Sequence, residues 1–340
     1  FRKYGCTRLQ LGVQHTSDDV LRKINRKHYR ADAARAIRML KDTCYKADIH
    51  LMPNLPDSSP DIDKAMFLDV LESEDLQVDQ WKIYPCEVLP WSRIKEWFDK
   101  GEFVPYGLDE LIDVLMYAKV RVHPWIRLNR VVRDIPSQYI LGGVDVPNLR
   151  EDVAGIMKRQ GTPCKCIRCR EVHGDLDAVQ QGKLTVRQYR GSGADEYFIS
   201  FETPDLSKIC GFVRLRLSET AGAGVFPELE KTALIRELHV YGVLIATSNK
   251  LETSAQHVGF GRRMMAHAEK IAWRHGFRRM AVIAGIGTRN YYRNMGYEMH
   301  EGDGHFMVKQ LNKNPLTLGD YLRDKQVLNL QVLKCAALGV

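Results

Sequence analysis

Over its first 130 residues the chain alternates short apolar runs with helical spacing, and this order constrains the fold more than any single motif does. Residues 9–14 read as a strand, 17–26 as a helix with Ser17 as its N-cap, and 31–45 as a second helix. Residues 49–53 read as the next strand, about 61–73 as a helix, and 81–85 as a third strand. This β-α-β-α-β order predicts a parallel sheet covered by helices. Leu111, Val114, Leu115 and Ala118 then recur at helical spacing within 108–118, and residues 125–132 are strand-like.

Between 148 and 182 the character changes. A short helix at 149–159 is followed by a Gly-Thr-Pro break at 161–163 and a cysteine cluster, which reads as a linker with its own staple. Residues 183–190, 196–202 and 210–217 alternate as antiparallel strands, and 234–242 is a fourth strand. A helix from Gly259 to His275, a strand at 280–285, a helix at 288–294 and a strand at 305–309 complete the pattern. The expected organisation is a parallel β/α domain over 1–147, the linker over 148–182, a mixed α/β domain over 183–311 and a tail over 312–340.

The second domain carries a glycine signature. Gln256, Gly259 and Gly261, with Phe260 between the glycines and Arg262 and Arg263 after them, stand at the expected start of a helix. There, tight backbone turns can aim free N–H groups at pyrophosphate oxygens, with the positive end of the helix dipole behind them. The bland reading of two such glycines is a structural turn. Met264, Ala268, Ile271 and Ala272 give the helix a packing face. Glu237 and His239 share one face of the preceding strand and suit either a base and polar lining or a satisfied structural pair.

Cys164, Cys166 and Cys169 place three soft ligands within six residues, a donor set suited to tetrahedral zinc. His173 is the nearest candidate for a fourth ligand, with His15, Cys86 and His123 as alternatives from elsewhere in the chain. Three unrelated thiols, a redox role and an iron–sulfur cluster are the competing readings. The remaining cysteines are scattered, which argues against a disulfide framework in a chain of 340 residues.

The net charge of +8, from 50 Lys and Arg against 42 Asp and Glu, favours polyanionic partners. Arg26, Lys27 and Arg30 lie in one basic run, and Arg130 and Arg133 in another. These runs are interleaved with Tyr29, Trp125 and Tyr139, aromatic faces on which unpaired bases can stack, although a basic run can equally be a solvated face. No stretch approaches the ~20 apolar residues of a membrane span, and no signal peptide opens the chain, so a cytoplasmic protein is expected.

The glycine signature resembles that of the GNAT acetyltransferase superfamily. The resemblance implies acetyl-CoA as ligand, with Leu238, His239 and Val240 offering backbone groups to the pantetheine arm and Tyr291 or Tyr292 near the thioester sulfur. A phenol there can protonate a leaving thiolate or hold the thioester carbonyl, and Tyr292 is the expected one, its neighbour packing in the core. A longer collinear series resembles the Elp3 family, the catalytic subunits of Elongator. It comprises ArgLeuGlnLeuGlyValGln 8–14, AsnArgLysHisTyr 25–29, HisLeuMetProAsnLeuPro 50–56, LysIleTyrPro 82–85, ArgValValArgAspIlePro 130–136, AsnLeuArg 148–150, ArgGluLeuHisValTyrGly 236–242 and GlyThrArgAsnTyrTyrArg 287–293.

That resemblance implies a partial parallel β/α (TIM-like) radical-SAM barrel over 1–147 fused to a mixed α/β GNAT domain, with S-adenosylmethionine and a 4Fe-4S cluster as cofactors. The implied activity is acetyl-CoA-dependent carboxymethylation of uridine 34 in the tRNA anticodon stem-loop. The cysteine linker is similar to that of the bacterial form, which implies action without other Elongator subunits. The loop with the three cluster cysteines is missing from the sequence and Cys6 has no companions, so this chain is expected to bind acetyl-CoA and tRNA without performing the radical step. Gly12 and Gln14 are candidates for lining the S-adenosylmethionine side. The alternatives are a protein lysine acetyltransferase and an acetyl-CoA-responsive RNA-binding module.

Overall fold

The computed structural model describes residues 1–132, 135–241 and 254–312, and the backbone alone for 254–258. It divides into two compact units. The first comprises Phe1–Glu171 with Arg190–Ala194 and Gly222–Val225; the second comprises Val172–Tyr189, Asp195–Ala221 and the chain from Phe226 onward. Arg133, the side chain of Gln256 and the tail from residue 313 lie outside the described residues. Among those described, no helix is long and apolar enough to cross a membrane.

The first unit is built on four parallel strands in the order β1 (Arg8–Gln14), β2 (Lys46–Leu51), β3 (Gln80–Ile83) and β4 (Arg127–Arg130). Parallel strands require crossover connections. These contain α1 (Asp18–Lys23), α2 (Arg30–Asp42), α3 (Pro60–Glu72), α4 (Ile94–Asp99) and α5 (Leu108–Arg121). Ser17 caps α1 by accepting from the Val20 N–H, and Ser59 caps α3 from the Ile62 N–H with Pro60 in the first turn.

Period-two alternation gives this sheet two unlike faces. Ala47, Ile49, Leu51, Trp81, Ile83 and Leu128 are buried with Ile37, Phe67, Leu111 and Leu115 of the helices. The opposite face is polar, and the register aligns its residues in rungs: Arg8 beside Lys46, then Gln10, Asp48, Gln80 and Arg127, then His50, Lys82 and Arg130.

The expected boundary at 147 moves. α6 (Leu149–Arg159) packs on α5, and α7 (Ile167–Arg170) packs on β4. Val153, Met157 and Ile167 are apolar and fully buried there, so the first half of the expected linker folds with the first unit, which runs to Glu171.

The second unit begins with α8 (Leu176–Gln180) and contains β5 (Lys183–Gly191), β6 (Ala194–Glu202), β7 (Ile209–Leu217), β8 (Ala233–Val240), α9 (Ser254–Arg274), β9 (Arg279–Val282), α10 (Arg289–Arg293), β10 (Glu298–Met299) and β11 (Met307–Gln310). The sheet order is β10-β11-β9-β8-β7-β6-β5. β8 and β9 pair in parallel, whereas β6–β7, β7–β8, β9–β11 and β10–β11 are antiparallel. α9 packs across β7 and β8 and buries Met264, Ala268, Ile271 and Ala272 against Val213, Leu215 and Ile235. It starts five residues before the expected Gly259.

Candidate functional site

The pairing of β8 with its two neighbours is unequal. With β9 it stops at Ile235 beside Val282, whereas with β7 it runs on to Val240 beside Gly211. The backbone edge of 236–240 that is turned away from β7 therefore has no strand beside it among the described residues. A wedge-shaped opening results, lined by peptide groups that an extended ligand can pair with, as a strand would.

Gly259 and Gly261 sit inside α9, and neither has a positive φ. The expectation that they form a turn ahead of the helix is corrected: the helical repeat simply extends upstream. For Gly261 the reason for glycine is space. A Cβ there would collide with the Tyr291 hydroxyl and lie 3.6 Å from Val240 Cγ2, so this residue lets α10 close on α9 beside the open end of β8. Phe260 is buried and stacks on Phe201 with ring centroids 4.2 Å apart, a core anchor rather than a ligand contact. Arg262 and Arg263 are exposed, and the Arg263 guanidinium lies 4.6 Å over the Phe201 ring.

The tyrosine pair is the reverse of what was expected. Tyr292 is buried in the core beside Tyr297, while Tyr291 is 38% exposed and faces Gly261. On a short helix adjacent residues point about 100° apart, so only one can enter the core. Burial raises the Tyr291 pKa although Arg262 opposes it, and the hydroxyl stays a proton donor at neutral pH.

Glu237 is engaged: its carboxylate accepts from Arg214 Nε at 2.9 Å, and the Arg214 guanidinium lies beside the stacked rings of Phe198 and Phe212, 5.2 and 5.1 Å from their centroids. A bulge opposite Arg214 and Leu215 lets Arg236 and Glu237 follow each other on this face of β8. Arg236 joins Arg216 on the buried Glu196 at 2.7 and 2.9 Å, and Arg187 clamps Glu202. This ion-pair ladder was missed, although Arg214 and Arg216 at alternate positions of β7 signalled it. His239 is exposed on the same face as Glu237, with Tyr241 at 4.4 Å; Leu238 and Val240 face α9.

In the first unit the sulfurs of Cys164, Cys166 and Cys169 lie within 4.8 Å of one another. Tetrahedral zinc with bonds of about 2.3 Å needs sulfurs about 3.8 Å apart, so small rotations bring the three into coordination. Cys166, fully buried, is held well below the ordinary thiol range by hydrogen bonds from Cys164 and Cys169, and backbone N–H groups of Leu128 and Cys169 add to this. Arg150 Nη2 approaches Cys169 Sγ at 3.8 Å. His173, a proposed fourth ligand, is not in the cluster, and its backbone is left-handed at φ 42°.

Two expected RNA contacts are spent internally. Arg26 donates to the Gly12 carbonyl at 2.7 Å, and a Cβ on Gly12 would lie 2.5 Å from the Arg26 Nη2, so Gly12 admits that side chain. Arg30 bonds Asp69 and Asp75 at 2.8 to 3.1 Å. Lys27 is exposed, and Arg130 lies on the polar face of the sheet. At the C-terminal ends of β1 and β2, where parallel α/β sheets place their sites, buried Asp63 accepts from Tyr106 and Ser58 hydroxyls, the Asn54 N–H and His15 Nε2. His15 Nδ1 accepts from the Ser17 N–H, which fixes that tautomer. Gln14 leaves β1 with φ 67°.

The model of the radical SAM superfamily matches residues 1–65, and that of the radical SAM C-terminal domain matches residues 78–159. The chain is 39% identical over 317 residues to a tRNA uridine(34) acetyltransferase of Methanocaldococcus infernus, covering 91% of this chain and 58% of that protein. It is 37% identical over 316 residues to Elongator complex protein 3 of Saccharomyces cerevisiae, covering 91% and 56%. The solved structure of archaeal Methanocaldococcus infernus Elp3 with an N-terminal deletion (1–46) matches with a TM-score of 0.80 at 37% identity, over 91% of this chain and 74% of that one. The chain thus spans little more than half the length of the curated relatives it matches.

Proposed function

The chain belongs to the Elp3 family, and on that basis we propose that it serves in the modification of tRNA uridine 34, with acetyl-CoA as carbon donor and carboxymethylation at C5 as the outcome. The observation that carries this reading is the open edge of β8 over 236–240 next to Gly261 and Tyr291. Leu238 and Val240 present backbone groups to the pantetheine amides, and the α9 segment from Gln256 to Arg263 lies on the pyrophosphate side. Tyr291 takes the role first given to Tyr292, donating its proton to the thioester carbonyl or the departing thiolate. His239 lines the other face of β8, and Glu237 holds Arg214 in place.

The polar face of the first unit supports an RNA ligand: Arg8, Lys46, Lys82 and Arg130 stand on its rungs with Asp48 as the one carboxylate there, while Arg127 is ion-paired with Glu171. S-adenosylmethionine with a 4Fe-4S cluster would supply a radical able to activate the acetyl methyl carbon. Among the described residues the one group of three clustered ligands is Cys164, Cys166 and Cys169, which lies after β4 and does not have the spacing of such a cluster loop. No step is routed through it. Those thiols fit structural zinc, and the chain acts without further Elongator subunits.

The test is thioester hydrolysis by the whole chain with acetyl-CoA, in the presence and absence of tRNA. A tRNA-dependent rise in free CoA is expected. No turnover under either condition would favour an acetyl-CoA-responsive RNA-binding module. Labelling of a lysine peptide without tRNA would favour a protein acetyltransferase.

A further inference from the structure

Of the five tryptophans in the chain, Trp91 alone is exposed, at 68%. Its ring meets that of Tyr139, itself 38% exposed, with centroids 5.2 Å apart and planes at 64°. In such an edge-on contact each ring keeps at least one face clear of the other. Leu141, two residues further on, is exposed as well.

Both loops that carry these rings are fixed. Val88 and Gly142 form an antiparallel bridge, in which the Val88 N–H donates to the Gly142 carbonyl at 2.9 Å and the Leu141 N–H to the Val88 carbonyl at 2.8 Å. The turn holding Trp91 is closed by the Ser92 hydroxyl, which donates to the Leu89 carbonyl at 2.8 Å and accepts from the Leu89 N–H at 3.3 Å. Ser137, at the start of the Tyr139 turn, donates to Asp145 at 2.9 Å. A Cβ on Gly142 would lie 2.7 Å from the Phe98 ring of α4, so glycine there lets the Tyr139 loop close on that helix.

The two loops follow β3 and β4 and leave from the C-terminal ends of those strands, the rim at which parallel sheets place their sites. Lys82 and Arg130 stand on the last rung at that end. Arg93, two residues after Trp91, is exposed and makes no ion pair among the described residues. Ile140, next to Tyr139, lines a cavity of about 260 Å³ with Val132, Ile135, Pro136, Glu87 and Asp145. Apolar walls with two carboxylates repel a phosphate and suit a base, whose edges carry N–H donors. Two rings and a leucine expose far less than the ~800 Å² per partner of a stable protein interface, whereas a single base needs only one ring face.

We propose that Trp91 and Tyr139 form a stacking platform for an unpaired base of a single-stranded RNA segment, with the cations of the same rim on its phosphates. This rests on the RNA reading given above. It adds a contact that selects for the absence of pairing, because a base stacked within a duplex has no free face.

Binding of an RNA stem-loop, and of a blunt duplex with the same stem, is measured for the whole chain as wild type, Trp91→Ala, Trp91→Phe and Tyr139→Ala. The readouts are anisotropy of labelled RNA and tryptophan emission. The stem-loop should quench wild-type emission, and Trp91→Ala should lose that quench, since the remaining tryptophans are wholly or partly buried. Trp91→Ala should bind the stem-loop about tenfold more weakly, with duplex binding and the salt slope unchanged, because a stacked ring releases no counterions. Tyr139→Ala should show the same pattern at about fivefold, and Trp91→Phe should stay within about threefold of wild type. Thermal unfolding of Trp91→Ala should match wild type, as its side chain is exposed. Wild-type stem-loop affinity in Trp91→Ala would overturn the proposal, as would an equal loss on the duplex, the mark of an indirect effect on backbone contacts. Self-association of the wild type that Trp91→Ala abolishes would replace it with a contact between two copies of the chain. A wild-type chain that binds neither RNA fails the RNA reading itself, and the platform with it.

Discussion

Gly261 and Tyr291 are fitted to each other: the tyrosine hydroxyl occupies the space a side chain on Gly261 would need, and both border the end of β8 at Val240. Gly261→Ala should displace Tyr291 from the opening. Because Tyr291 is partly exposed it can swing outward, so stability should change by under ~1 kcal/mol. Acetyl-CoA affinity should fall about tenfold, roughly 1.4 kcal/mol, by calorimetric titration. Unchanged affinity would detach this pair from the binding site.

The two tyrosines of α10 should separate by phenotype. Tyr292→Ala removes a ring from the packed core and should cost about 3 kcal/mol in urea unfolding. Tyr291→Phe should leave stability and acetyl-CoA binding near wild type while lowering thioester turnover at least tenfold, through loss of the hydroxyl alone. If Tyr292→Phe lowered turnover more than Tyr291→Phe, the buried ring would be the catalytic residue after all.

Sequence order carries the architecture well and the partners of polar groups poorly. Alternation of apolar runs placed β1 to β4 and the antiparallel strands, because burying one face is a local, periodic requirement. The Cys164, Cys166 and Cys169 cluster was legible for a similar reason: its ligands lie within six residues of chain. Arg30 was not legible as a structural residue, since Asp69 and Asp75 lie 39 and 45 positions away and reach it only through the packing of α2 on the turn that follows α3. The choice between Tyr291 and Tyr292 depended on the rotation of α10 about its axis, which five residues do not encode by periodicity.

The basic run before α2 should split by function. Arg30 is held by two carboxylates, and its pKa is raised first by the hydrogen bonds it donates to Asp69 and Asp75. Arg30→Met should therefore cost about 1–2 kcal/mol of stability, reduced from the full value of charged hydrogen bonds by partial exposure, and should leave the salt dependence of tRNA binding unchanged. Lys27→Ala should do the opposite, sparing stability and lowering the magnitude of the salt slope by about 1. A lowered slope in Arg30→Met at unchanged stability would return Arg30 to the RNA interface.

Asp48 sets a pH dependence whose sign can be worked out. Its side chain is fully buried on the second rung of the polar face; Oδ2 accepts from Asn129 at 3.3 Å, and Oδ1 accepts nothing among the described residues. Burial raises its pKa, and Asp79 adds to this, against the opposing charges of Lys82 and Arg8 and the Asn129 hydrogen bond. The folded chain thus holds this proton more tightly than the unfolded chain, in which the carboxyl titrates near about 3.9. The stability contributed by the protonated form is complete below the unfolded value and is lost as pH rises through the folded one. Asp48→Asn, which keeps the shape and cannot ionise, should stabilise the protein at pH 7 by on the order of 1 kcal/mol and flatten that part of the profile. Urea midpoints measured from pH 3.5 to 8 for both proteins check this. A less stable Asp48→Asn at pH 7 would mean that the ionised carboxylate is held favourably by Lys82 and Arg8, and that the polar face is built around its charge.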